Sequence, residues 1–251
     1  MEKITADVTL TIAGTPLQVK ISVPNKKTKP DVLLPLLRNL VQMAEDLAVE
    51  QVVAKGDKIS CAKGCGACCN QLVPVTQLEA RYLVALIERM PKARKQKYKA
   101  RFVETYQQLE QAGIIGQLIN HASIGDNLVE FALHYFHLGI ACPFLEDGSC
   151  SIHPERPLRC REYLVTSPAI NCSHPTNENI QRVKYPVSMS RFLADILKPW
   201  TKYPERWVPL SLILTWAERY PEVPNLRHSK EWVDDALTAL SRQKATESDE
   251  F

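Results

Sequence analysis

The chain has 251 residues, 45% of them apolar and 24% charged, with a formal net charge of +3. That composition excludes a disordered chain, a collagen, a coiled coil and a strongly basic nucleic-acid binder, and the length fits one large domain or two small ones. A chain this long buries about three-quarters of its unfolded surface and needs no metal or disulfide staples to fold, so its eight cysteines require a separate explanation.

The first residues, Met1 to Asp7, carry two acids and no apolar run, which is not a secretory signal. No stretch of 18 apolar residues occurs; the best candidate, Trp207 to Ala217, is short and contains Pro209. The expected location is the cytoplasm, with no membrane partner. Thiols stay reduced there, so metal or redox chemistry is expected of the cysteines rather than disulfides.

Residues 7–23 alternate. Val8, Leu10 and Ile12 share one face, and Leu17, Val19, Ile21 and Val23 continue it after Gly14-Thr15-Pro16, which predicts a β-hairpin with one buried face. Pro24 to Pro30 reads as a solvated linker, which would let the hairpin sit as an ornament on the main body. Helical periodicity follows over 31–54, with Leu34, Leu37, Val41, Met43, Leu47 and Val52 on the repeat and Gly56 ending it. Thr76-Gln77-Leu78-Glu79 is a capping box opening a helix through Met90, stopped at Pro91. Further helices are predicted over 92–112 and 126–138. Eleven prolines between Pro143 and Pro224 exclude long helices, so short helices and loops are expected there. Two helices, 207–220 and 229–242, complete the chain before a fraying tail. The predicted fold class is mainly α with an N-terminal β-hairpin and irregular metal-stapled loops between helices. The predicted organisation is a hairpin over 1–24, a helical cysteine-cluster domain over 31–242 and a flexible tail over 243–251.

The first cysteine cluster is Cys61-Ala62-Lys63-Gly64-Cys65-Gly66-Ala67-Cys68-Cys69, a C-x-x-x-C-x-x-C-C pattern with small residues between the sulfurs. Glycine lets a loop wrap tightly and bring bare N–H groups toward clustered thiolates, the cradle that a thiolate-bound metal needs. The second cluster is Cys142, Cys150, Cys160 and Cys172, on loops stiffened by Pro143, Pro154 and Pro157. Four thiolates around one divalent ion leave a net charge of −2, and Arg156, Arg159 and Arg161 beside Cys160 can either offset it or simply be solvated.

Together these motifs, with Cys142-Pro143-Phe144-Leu145-Glu146-Asp147-Gly148-Ser149-Cys150-Ser151-Ile152-His153 and Arg156-Pro157-Leu158-Arg159-Cys160-Arg161, resemble the YkgJ-type cysteine-cluster family, a zinc- or iron-chelating domain. The likeness covers about residues 58–165. It implies chelation by Cys61, Cys65, Cys68, Cys69, Cys142, Cys150 and Cys160; Cys172 lies beyond the core motif and joins them on the count of eight. His153 stands where the family motif carries tyrosine, as packing or as an extra ligand.

Cysteine-only ligation suits zinc or an iron–sulfur cluster, and spacing does not separate the two. The expected function is therefore a metal-binding protein with an accessory or redox role. The alternative is an S-adenosylmethionine-dependent protein lysine methyltransferase carrying an iron–sulfur cluster, from a likeness to flagellin lysine methylase. The Cys61, Cys65 and Cys68 spacing also matches radical S-adenosylmethionine enzymes, but the helices and proline-rich loops that follow do not build their barrel. Glu130, His134 and His137 share one helical face, a non-haem iron site or plain polar surface, and His174 is a further candidate ligand. Six basic residues between Lys92 and Arg101 read as a solvated helix rather than a nucleic-acid surface. A protein partner is left open.

Overall fold

The computed structural model describes residues 2–242 except 13, 63, 125–126, 177, 186, 201–206 and 224. The predicted 243–251 tail lies outside the described residues. The molecule is mainly helical with a small N-terminal antiparallel hairpin, β1 (Lys3–Ile12) and β2 (Thr15–Pro24), in register from Lys3 opposite Pro24 to Ile12 opposite Thr15. Alternation decides which face is buried. Val19, Ile21 and Val23 sit in the main core, with Ile4, Val8, Leu10 and Leu17 packed against it.

The hairpin is no ornament, because the segment expected to be a solvated linker is pinned. Its β3 (Lys27–Thr28) pairs with the far end of the chain, at Arg227 and His228. The indole N–H of Trp232 donates to the Thr28 carbonyl at 3.1 Å. The core that receives the hairpin is formed by α1 (Leu33–Ala54), whose Leu33, Leu34, Leu37, Leu40 and Val41 are nearly solvent-free. Gly56 ends α1 at φ +84°, a conformation that glycine adopts without strain.

After the first cysteine loop, β4 (Pro74–Val75) leads into α2 (Gln77–Glu88). The capping box forms as predicted: Thr76 caps Glu79, and the Glu79 carboxylate accepts from the Thr76 N–H at 3.0 Å. α3 (Lys92–Gln111) buries Tyr98, Phe102, Thr105 and Leu109 along one stripe. Its basic residues are largely paired within the molecule: Lys95 and Lys99 with Glu88, Lys97 and Arg101 with Glu146. Short α4 (Ile115–Ile119) and α5 (Leu128–His137) complete this half.

The proline-rich region is made of short pieces: β5 (Leu145–Glu146), β6 (Ser149–Cys150) and α6 (Leu158–Arg161). It also holds α7 (Met189–Leu197), a nine-residue helix capped by the Ser188 hydroxyl, which accepts from the Arg191 N–H. The helix expected over 207–220 is shorter. Pro209 falls in β7 (Val208–Pro209), paired with β4, and after a 3-10 turn, Leu210–Leu212, only α8 (Ile213–Arg219) is α-helical. Finally β8 (Arg227–His228) and α9 (Ser229–Arg242) return to the hairpin and α1. Among the described residues no helix is long and apolar enough to cross a membrane.

Candidate metal centre

Four segments carry the eight cysteines, and each is fixed by the fold around it. The first is the 61–69 loop, which ends in a 3-10 turn, Ala67–Asn70. The N–H of Ser60 donates to the Val165 carbonyl at 2.9 Å, which lays the start of this loop along the segment after α6. Inside the loop, Cys65 N–H donates to Ala62 O and Cys69 N–H to Gly66 O, at 3.0 and 2.9 Å. Gly66 is there for space. A Cβ on it would lie 2.5 Å from the Gly148 carbonyl oxygen and 2.6 Å from the Leu145 side chain.

Cys142 precedes the β5–β6 ribbon and Cys150 ends it; the ribbon turns tightly at Asp147 and Gly148, both at positive φ. That pair suits a two-residue hairpin turn. α3 holds the ribbon from outside. Tyr98 and Phe102 pack on Phe144 with ring centroids 5.3 and 5.5 Å apart. The Tyr98 hydroxyl donates to Ser151 Oγ at 2.7 Å, and Ser151 donates in turn to the Phe144 carbonyl at 2.7 Å. The ribbon meets the first loop directly: Cys142 N–H donates to the Cys69 carbonyl at 2.7 Å.

Cys160 lies on α6, whose first N–H, that of Leu158, donates to Glu79 Oε1 at 2.8 Å. The capping carboxylate of α2 therefore also anchors the helix that presents Cys160. Glu162, just after α6, accepts from the Ser190 N–H at 3.0 Å and from the Ser190 hydroxyl at 2.6 Å, tying the motif to α7. Cys172 lies in the 3-10 segment Ala169–Ser173, which packs on Ala67–Asn70. Neither carboxylate contact could be read from sequence, because 79 and 28 residues separate the partners.

All eight cysteines are free: Cys65 is exposed, Cys172 buried and the rest half-buried. A thiol–thiol hydrogen bond with Cys69, then burial, pushes the Cys68 thiol far up. Burial raises Cys61, Cys150 and Cys160, and lifts Cys142 to about 12 and Cys172 to about 11. The secondary influences reveal the grouping. Cys172 feels Cys61, Cys68 and Cys65, while Cys160 feels Cys142, Cys68 and Cys150. Cys68 acts on Cys61, Cys142, Cys150, Cys160 and Cys172 alike, so it lies where the two sequence clusters meet. Among the described residues no three His, Cys, Asp or Glu side chains are placed to share one metal ion as they stand.

The donor set fits a soft, thiophilic metal. Four of the sulfurs come from a loop of small residues, and beside the cysteines stands a half-buried cation, Arg156, whose Nε is buried without a hydrogen-bond partner. Residues 60–183, a span that takes in every cysteine, match the CxxCxxCC family model, described as "Putative zinc- or iron-chelating domain". Just under half of the chain, the part that bears the cysteines, is similar to this CxxCxxCC family. No curated protein and no solved structure matches the chain significantly. A metal ion is thus the partner that the CxxCxxCC match supports.

The weaker candidates lie elsewhere. Glu130, His134 and His137 are exposed on α5, whose buried side holds Phe131, Ala132, Tyr135 and Phe136. His153 and His174 are exposed as well. Sequence reasoning missed Glu79, Glu162 and Tyr98 as supports of the cysteine loops; only the Glu79 capping box left a local signal.

Proposed function

We propose that this chain is a metal-binding protein, accessory or electron-transferring, in which Cys61, Cys65, Cys68, Cys69, Cys142, Cys150, Cys160 and Cys172 form one sulfur-rich core for zinc or an iron–sulfur centre. The observation that carries this reading is the meeting of the cysteine segments: the Cys142 N–H donates to the Cys69 carbonyl at 2.7 Å, the Ser60 N–H to the Val165 carbonyl after α6, and the Ala169–Ser173 turn of Cys172 packs on Ala67–Asn70. Eight isolated structural thiols would not need to meet, because free cysteine packs well as a single small hydrophobe. An all-sulfur donor set selects zinc or iron–sulfur chemistry over hard cations.

The grouping crosses the sequence clusters. Cys172 belongs with Cys61 and Cys65, and Cys142, Cys150 and Cys160 belong together, with the Cys68-Cys69 pair between the two sets. In the metal-free protein the raised thiols are neutral and pack as apolar groups. Loading removes their protons and draws the loops in, while the helices, whose cores are independent of the sulfurs, stay folded. A reducing compartment such as the cytoplasm keeps the thiols available.

The test is purification without oxygen, followed by quantification of zinc, iron and acid-labile sulfide and a visible spectrum. Stoichiometric zinc in a colourless sample supports an accessory module; iron with sulfide in a brown one supports electron transfer. Eight titratable thiols with no bound metal overturn the proposal. Saturable binding of S-adenosylmethionine would replace the accessory reading with methyl transfer.

A further inference from the structure

A thiolate-bound metal leaves charge to be balanced. Four thiolates on one divalent ion carry −2, and a half-buried site compensates such charge poorly unless a cation faces it. Arg38, Arg101, Arg156, Arg159 and Arg161 all lie around the cysteine segments, and four of them are engaged elsewhere. Arg38 pairs with Glu155 at 2.5 Å and lies over the Tyr82 ring. Arg101 donates to the Leu145 carbonyl and reaches Glu146 at 3.6 Å. Arg161 donates to the carbonyls of Pro154 and Arg156. Arg159 lies with Glu162, Arg182 and Arg191, and Cys160 is the least of its influences.

Arg156 differs from these four. Its Nε is buried and has no hydrogen-bond partner, a state rare enough in folded proteins to need a reason. Its charge acts on Cys61, Cys68, Cys150 and Cys160, which come from three of the four converging segments. The backbone that aims it is held on both sides. Glu155 is gripped by Arg38 and by the Tyr82 hydroxyl at 2.5 Å, and the Arg156 carbonyl by Arg161 at 3.2 Å. The competing anion is Glu45 on α1, which faces Arg156 without a hydrogen bond at its buried Oε2.

We infer that Arg156 is the charge-balancing and positioning residue of the metal centre, its guanidinium compensating the thiolates of Cys61, Cys68, Cys150 and Cys160 when they hold a metal. This rests on the metal-binding reading above. Arg159 and Arg161, equally close to Cys160 in sequence, are structural: one belongs to the Glu162 group, the other fastens the loop. The buried, unpartnered Nε is the mark of a donor whose acceptor is a metal-bound sulfur.

The test uses the full chain under reducing conditions, with zinc as the probe and a competing chelator to set its free concentration. Arg156→Gln and Arg156→Met should each weaken zinc binding about 10- to 100-fold, as loss of an outer-shell partner does. Arg156→Lys, which keeps the charge, should stay within a few-fold of the natural protein. The melting temperature of the metal-free protein should fall little in Arg156→Met, because the buried Nε that the change removes has no hydrogen-bond partner. Equal losses of affinity in Arg156→Lys and Arg156→Met, with a matching fall in metal-free melting, would assign Arg156 a packing role and overturn the inference. Unchanged affinity in Arg156→Gln would overturn it too, while leaving the metal reading intact. A natural protein that takes up neither zinc nor iron defeats the metal reading itself.

Discussion

The amide of Cys142 donates its proton to the carbonyl oxygen of Cys69 across 2.7 Å. These residues end and begin the two cysteine motifs, which lie 72 residues apart in the chain. One backbone hydrogen bond therefore sets the second motif against the first, and the sulfurs on either side inherit that placement. Gly66 makes the approach feasible. Replacing it with alanine drives a methyl group to 2.5 Å from the Gly148 carbonyl. Gly66→Ala should destabilise the protein by about 1–3 kcal/mol, the usual cost of overpacking, and should lower metal content as well. Thermal unfolding and metal quantification on the same preparation check both.

The charge of Cys68 bears on Cys61, Cys160 and Cys172, the proposed core gives it the central place, and Cys65 is exposed. Cys68→Ser should remove most of the bound metal from the whole core, and Cys65→Ser should remove less. Metal-to-protein ratios after gel filtration decide the point, and equal losses would contradict a central Cys68.

The pH dependence has a definite sign. Burial holds Cys142 up at about 12 and Cys172 at about 11, against an ordinary 9.0. The folded metal-free protein keeps these protons more tightly than the unfolded chain. The associated stability is fully present below pH 9 and is lost as pH climbs from 9 through 11 to 12. Metal loading runs the other way, because binding must expel those protons, so zinc affinity rises with pH. Denaturant titrations of the metal-free protein at pH 8 and pH 10.5, and zinc competition at pH 6.5 and pH 8, measure the two trends.

Glu79 has two duties, capping α2 and holding the Leu158 N–H that opens α6. Glu79→Ala leaves buried donors unpaired at about 1–3 kcal/mol each, and it frees the helix carrying Cys160. Glu79→Gln keeps one acceptor oxygen but turns its NH2 toward the other donor, so it should cost less than Glu79→Ala without being neutral. Comparative unfolding of the two variants reads the difference.

The local parts of this molecule were legible in sequence and the long-range ones were not. Alternation along residues 7–23 announced the hairpin, and Thr76 with Glu79 announced the start of α2. Linker composition misled over Pro24 to Pro30, because a two-residue pairing with Arg227 and His228 can be seen only once α9 is in place. Proline density hid α7, although nine helical residues fit between Ser188 and Lys198 and the Ser188 cap was there to be read. Pro209 shortened α8 by entering a strand pair with Pro74. The cysteine spacing was informative about chemistry and blind to grouping. That Cys172 sits with Cys61 and Cys65 follows from the packing of Ala169–Ser173 on Ala67–Asn70, a contact that no local pattern encodes.

X-ray absorption at the zinc and iron edges of protein purified without oxygen tests the metal-centre account most directly. The account predicts a metal whose nearest neighbours are sulfur, at about 2.3 Å for zinc, and the loss of that sulfur shell in Cys68→Ser. A bound metal surrounded only by nitrogen and oxygen, or a sulfur shell that Cys68→Ser leaves intact, would contradict it.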